Sequence, residues 1–301
     1  MRKSLVALVC LFLTTAAATV FIGTLYPLFV EAVSGEKLSV GAPYFNLVAG
    51  PLALVLAALV GIGPLLSWRR ERRPVLKQLT VPALLGVTAL VITVIVAPGI
   101  RILPRLGFSV AAYLAAASIL PLFGRNPLRT PLATWGMAVA HFGIAVALFG
   151  MAANAAFTSE RLAVARAGEI LDVGPWRVQL QDVTPTAGKN WTALEAELKA
   201  SRGQGQIILR PQTRYFSDPP TETSEAAIET FWNGQLYTII GKPDLGGGWQ
   251  LRLWWKPFVT LIWAGGALIA LGGALALAGR LWLLRRRRKA DADDWRQVRY
   301  A

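Results

Sequence analysis

The sequence predicts an α-helical integral membrane protein of about six transmembrane helices, with a small antiparallel β domain inserted between the last two. Three observations carry that expectation. Apolar residues make up 54% of the 301 positions and charged residues only 16%, so most surfaces must meet lipid or one another. Six apolar windows approach the roughly twenty residues that a helix needs to cross a bilayer. At Thr158-Ser159-Glu160 the composition turns polar, and alternation with period two begins.

The windows are 5–30, 45–67, 80–97, 108–123, 132–153 and 258–284. Met1-Arg2-Lys3 before the first has the look of a secretory leader, but the apolar run continues through "FIGTLYPLFV" and reads as a retained helix. Cys10 lies within that run as a small apolar filler, with no second cysteine to make a disulfide or a redox pair. The formal charge of +14 does not point to nucleic acid. Much of it sits beside span ends, as Arg69, Arg70, Arg72, Arg73 and Lys77 and again as Arg285, Arg286, Arg287, Arg288 and Lys289, with no interleaved aromatics.

The positive-inside rule then sets an orientation. Arg2, Lys3, the basic loop ending at Lys77, the loop with Arg125 and Arg129, and a charged, flexible tail over 285–301 fall in the cytoplasm. The 31–44 loop, the 98–107 turn with Arg101 and Arg105, and the segment 158–256 fall outside. The domain division is thus a membrane region over 1–157, an outer β domain over 158–256, a sixth span over 257–284 and the tail.

Within 158–256, "EILDV", "WRVQLQDV", "ALEAELKA", "QIILRP", "LYTIIG" and "WQLRLWW" read as strands. Val173-Gly174-Pro175, Gly188-Lys189-Asn190, Asp218-Pro219-Pro220 and Gly246-Gly247-Gly248 read as the turns between them. The result is a partly open barrel or a sandwich.

Common catalytic designs find no support. His141 is the lone histidine and has no carboxylate in its span, which excludes a Ser/His/Asp triad. One histidine and one distant cysteine do not make a zinc site. The triple glycine lacks the strand–loop–helix setting of a nucleotide-binding loop.

An ionisable group inside a span is costly and marks a functional position by default. For His141 four uses remain open: haem axial ligand, proton relay, substrate contact, or a hydrogen bond between helices. Gly136, Gly143 and Gly150 recur every seven residues and mark one side of that helix, where a neighbouring helix or a flat ring can approach. Trp135, Trp254, Trp255 and Trp263 fall near span boundaries, as an interfacial aromatic belt would, and Trp135, on the helix of His141, is also a candidate cofactor contact. Arg101 and Arg105 suit headgroup anchoring or, secondarily, pairing with carboxylates such as haem propionates.

Four stretches carry a resemblance. They are "FIGTLYPLFVEAVSGEKLSVGAPYFN" (21–46), "HFGIAVALFGMAANAAFTSER" (141–161), "RYFSDPPTETSEAAIETFWNGQLYTIIG" (214–241) and "LRLWWKPFVTLIWAGGALIALGGALAL" (251–277). In order and spacing they resemble the C-terminal half of CcmF, the haem lyase family of c-type cytochrome maturation. The resemblance implies a multi-pass protein of the bacterial inner membrane with a periplasmic β domain. It implies haem as a substrate, received from a periplasmic haem chaperone and joined by thioether bonds to the Cys-x-x-Cys-His motif of an apocytochrome c. Thiol-handling subunits would deliver that apocytochrome. It also implies a permanent haem b in the membrane between two histidines, and His141 in "AHFG" matches the second of them.

The departures from the family pattern are as informative. The Trp-rich motif, its flanking histidines and the first intramembrane histidine belong to the family's N-terminal half, so the resemblance implies a partner carrying that half. The chain is expected to be one product of a split gene or a fragment, and inactive alone. The competing expectations are a non-catalytic scaffold or assembly subunit of the same complex, or a small membrane transporter.

Overall fold

The structure, a computed structural model, describes residues 2–63 and 75–299. The expected basic loop through Arg69, Arg70, Arg72 and Arg73 lies outside the described residues. The chain divides into two compact units, one of residues 1–152 with 262–301 and the other of residues 153–261.

Seven α-helices are described: α1 (Arg2–Ser34), α2 (Ala42–Tyr44), α3 (Gly50–Ile62), α4 (Val75–Val96), α5 (Ile102–Ile119), α6 (Leu132–Phe157) and α7 (Thr260–Arg299). A π-helical stretch over Phe45–Ala49 joins α2 to α3. Among the described residues, six segments are long and apolar enough to cross a membrane: Ala7–Ser34, Phe45–Ile62, Lys77–Val96, Ile102–Leu122, Leu132–Phe157 and Thr260–Arg285. Pro27 and Pro82 lie inside α1 and α4, as membrane helices tolerate.

Two segments differ from the sequence expectation. The fourth span begins at Ile102, inside what reads as a turn, because Pro104 and Arg105 occupy its first helical turn rather than a loop. Proline is at home there, where its missing N–H costs nothing. The second is the charged tail, which continues α7 as helix to Arg299 instead of forming a flexible end. Beyond Gly279 the segment holds no glycine or proline and is rich in arginine, leucine and alanine, all strong helix formers.

Small residues let the helices of the first unit approach closely. A Cβ on Gly61 would lie 2.5 Å from the Tyr113 ring of α5, and one on Gly86 would lie 3.1 Å from the Ser109 carbonyl oxygen. Ser109 Oγ donates to the Gly86 carbonyl at 2.9 Å, tying α5 to α4. Ala57 of α3, Leu114 of α5 and Ala145 of α6 share one buried cluster. The α5 and α6 helices run antiparallel: Gly107 meets Ala152, Phe108 stacks edge-on with Phe149 at 5.2 Å, and Leu114 packs with Ala145.

The second unit is a sandwich of two antiparallel sheets. Its strands are β1 (Ser159–Ala165), β2 (Ile170–Val173), β3 (Trp176–Ala187), β4 (Trp191–Arg202), β5 (Gly205–Leu209), β6 (Gln212–Ser217), β7 (Pro220–Glu225), β8 (Ala227–Phe231), β9 (Gly234–Pro243) and β10 (Trp249–Pro257). One sheet has the order β1-β10-β9-β8, and the other β2-β3-β4-β6-β7 with β5 also on β4. Alternate residues face inward, so Val178, Leu180, Leu198 and Ala200 of one sheet pack with Leu236, Ile240, Leu251 and Leu253 of the other, all fully or almost fully buried. Thr213 Oγ1 donates to the Ile240 carbonyl across the two sheets at 2.9 Å, which satisfies a buried hydroxyl.

Candidate functional site

His141 lies on α6, about 5 Å along the axis from the helix midpoint. Its Nδ1–H donates to the Met137 carbonyl oxygen one turn earlier, at 2.8 Å. That bond fixes the tautomer and leaves the lone pair on Nε2, which has no hydrogen-bond partner among the described residues. A backbone carbonyl on the far nitrogen is the usual means of orienting a metal-ligating imidazole. The side chain is half-buried, on the helix face that carries the buried Ala138, Ala145 and Ala152. In the antiparallel register, the buried Ala117 and Ser118 of α5 lie at its level.

The glycine stripe has another occupant. A Cβ on Gly136 would stand 2.5 Å from the Gly272 carbonyl oxygen, and one on Gly143 would stand 2.7 Å from that of Gly265. From the other side, Cβ atoms on Gly265 and Gly272 would meet Ala147 N at 2.5 Å and Ala140 N at 2.4 Å. The α6 and α7 backbones therefore touch along a seam of glycine and alanine, with glycines at 265, 272 and 279 repeating every seven residues on α7 as 136 and 143 do on α6. The glycine face is filled by a helix and is no resting face for a ring. His141 sits about 140° around α6 from Gly136, so a ring held by its Nε2 would lie on the opposite side.

Three other candidates lie apart from His141. The α5–α6 register puts Arg105 and Arg101 beyond Ala152, more than about 16 Å along the axis from His141. Arg105 Nε donates to the Ile100 carbonyl at 3.0 Å, and its Nη2 to those of Ala97 at 3.2 Å and of Pro98. Its guanidinium thus closes the turn after α4, neutralising carbonyls that no helix satisfies. Arg101 is exposed at the N-cap of α5. Trp135, half-buried on the first turn of α6, lies about 9 Å along the axis from His141 and about 120° around it.

The second unit corrects the aromatic belt. Trp255 is 6% exposed, packed in the sandwich against Trp176 and Phe231 with ring centroids 6.2 and 6.3 Å away. Trp254 points to the other face of β10, edge-on to Tyr237 at 5.2 Å and under the Arg252 guanidinium at 4.5 Å. Arg252 also bonds Glu160 at 2.7 Å. Period two in a strand puts the two adjacent tryptophans on opposite faces. Trp263 is 77% exposed on the first turn of α7, as an interfacial residue would be.

Residues 156–257, which span the whole sandwich, match a family model described as the CcmF C-terminal beta-sandwich. Along the full chain, CycK of Rhizobium meliloti is 34% identical over 310 aligned positions, covering 96% of this chain and 46% of that protein. CcmF of Escherichia coli is 32% identical, covering 92% and 43%. Both relatives are named cytochrome c-type biogenesis proteins. A solved structure named Cytochrome c Heme Lyase CcmF superposes with a TM-score of 0.75 at 28% identity, over 92% of this chain and 46% of that one.

The chain is similar to the CcmF family.

It corresponds to the C-terminal half, and spans under half the length of the relatives it matches. It is a membrane protein, six helices and an inserted β-sandwich in the order the sequence predicts. Sequence reasoning missed the Arg105 clamp and the exposed Trp232 of the β8–β9 turn. A basic residue opening the helix that follows a short turn, within reach of the preceding helix's last carbonyls, is the signal for the first. For the second, the phrase "FWNG" marks a turn in which a bulky indole has no place in a core.

Proposed function

We propose that this chain is the C-terminal part of a cytochrome c haem lyase. With an N-terminal half carrying the Trp-rich motif, it takes haem from a periplasmic haem chaperone and attaches it to the Cys-x-x-Cys-His motif of an apocytochrome c brought by thiol-handling subunits. In each thioether bond a cysteine S–H adds across a haem vinyl C=C, sulfur to one carbon and the proton to the other, with no net oxidation.

In this proposal His141 would hold the iron of a membrane haem b from one side, and the N-terminal half would supply the other ligand. Such a group, when bound, supplies one-electron exchange. The chain's own contribution is to hold an imidazole. The observation that supports the role is the Met137 carbonyl on Nδ1, which presents Nε2 as a fixed donor inside an apolar span. The residues present fit one side of an iron, since the sequence holds a single histidine. Arg101, Arg105 and Trp135 enter as headgroup-side or packing residues rather than haem contacts.

The orientation we propose places Arg2, Lys3, Arg125, Arg129 and the basic end of α7 in the cytoplasm of a bacterial cell and the β-sandwich in the periplasm. A reporter enzyme fused at Arg288 tests it, and periplasmic activity there would overturn the assignment. For the lyase role, the chain is co-expressed with its N-terminal half in cells unable to mature cytochrome c. Cytochrome yield is expected to be restored by the pair and lost in His141→Ala. Full yield from the N-terminal half alone would sink the proposal.

A further inference from the structure

The β8–β9 turn carries Trp232, 83% exposed and with its ring 6.5 Å from that of Phe258. An indole costs most in water, and any small polar residue would serve a turn at 231–234 equally well. The turn is latched at two points. The Thr260 hydroxyl donates to the Trp232 carbonyl at 3.1 Å, and the Phe258 N–H donates to the Asn233 carbonyl at 2.9 Å. Phe258 takes φ +54, a conformation rare for an aromatic residue, and its carbonyl accepts from Leu261 N–H at 3.0 Å in the first turn of α7.

Thr260 is the first residue of a membrane span. The apolar segment Thr260–Arg285 has 26 residues, about 39 Å of helix against a hydrocarbon core of about 30 Å, so its first turn lies in the headgroup zone. Trp232 is bonded to that first residue and must share its depth. Headgroup depth is where an indole gains most, its apolar body among acyl chains and its N–H toward water and phosphate. We propose that the 231–234 turn is a lipid-interface anchor, with the Trp232 indole seated among the headgroups. Water at that depth would leave the ring's apolar area unpaid, and the latch would have no evident use.

The test uses the full chain with Cys10→Ala, so that a single thiol can be placed. Trp232→Cys is labelled with a nitroxide in phosphatidylcholine vesicles, and its collisions with oxygen and with a water-soluble nickel chelate are compared. The latch uses a backbone carbonyl, so the substitution leaves it in place. The oxygen-to-nickel ratio is expected to be several-fold above that of a label at Leu245, which is fully exposed on the β9–β10 hairpin. Equal ratios would overturn the proposal, as would a label shielded from both reagents, which would mean that protein covers the turn. A second readout keeps the indole's own signal: brominated lipid chains should quench less tryptophan fluorescence in Trp232→Phe than in the unaltered chain, and unchanged quenching would contradict the anchor.

Discussion

The Nδ1 of His141 and the carbonyl oxygen of Met137 stand 2.8 Å apart within one turn of α6. The carbonyl of residue i−4 in a helix already accepts a backbone N–H, so the imidazole shares an acceptor rather than rescuing an orphan. What the bond achieves is orientation. It removes the tautomer choice and aims Nε2 away from the α6–α7 seam, and the consequences can be tested residue by residue.

The seam itself should be intolerant of bulk. Gly143→Leu would drive a side chain into the Gly265 carbonyl and the Ile269 N–H of α7, at an overpacking cost of about 1–3 kcal/mol. Gly266→Leu, on the same helix pair but facing open space, should be nearly neutral. Thermal unfolding in detergent compares them: a clear drop for the first and little for the second. Equal losses would mean that the seam does not hold the two helices.

Arg105 should matter to stability and not to haem. Arg105→Leu strands the carbonyls of Pro98 and Ile100, leaves that of Ala97 with the Ile100 N–H alone, and should cost about 2 kcal/mol. The detergent melting temperature is expected to fall, while the absorption spectrum of the assembled complex keeps its band positions. A shifted spectrum with unchanged melting would reverse the assignment and make Arg105 a haem contact.

In the sandwich the two adjacent tryptophans should behave differently. Trp255→Ala removes a ring from the core and should cost about 3–5 kcal/mol. Trp254→Ala loses an edge-on contact with Tyr237 and a cation above its face, a smaller loss on a half-exposed surface. Denaturant titration followed by near-ultraviolet circular dichroism separates them, and comparable losses would contradict the inward-outward assignment.

The helices were legible because hydropathy reports lipid contact directly, and six windows are six helices. The start of α5 was not, because Arg101, Pro104 and Arg105 read as a turn when hydropathy alone is consulted; only the carbonyls that Arg105 meets explain why the helix begins there. Strands β3, β4, β9 and β10 announce themselves by alternation, since one face is buried in each. Strands β1, β6, β7 and β8 do not. β7 is exposed at nearly every position and held by backbone pairing to β6, so its side chains carry no period to read. Trp255 was misplaced for a related reason: beside a span, an indole signals interface as readily as core, and only strand register decides between them.

For His141 the sequence supplied the position and the family match, and geometry supplied the donor atom. The glycines on its helix were legible as a close-packing face but not as α7's face, because the partner seam lies more than a hundred residues away in the chain.

The most direct measurement is the reduced-minus-oxidised absorption spectrum of this chain purified in complex with its N-terminal half. The account predicts a b-type haem signal that is lost in His141→Ala and recovers in His141→Gly when imidazole is added, because the free base can occupy the vacated side of the iron. An unaltered haem signal in His141→Ala, with unaltered cytochrome c yield, would show that His141 holds no iron.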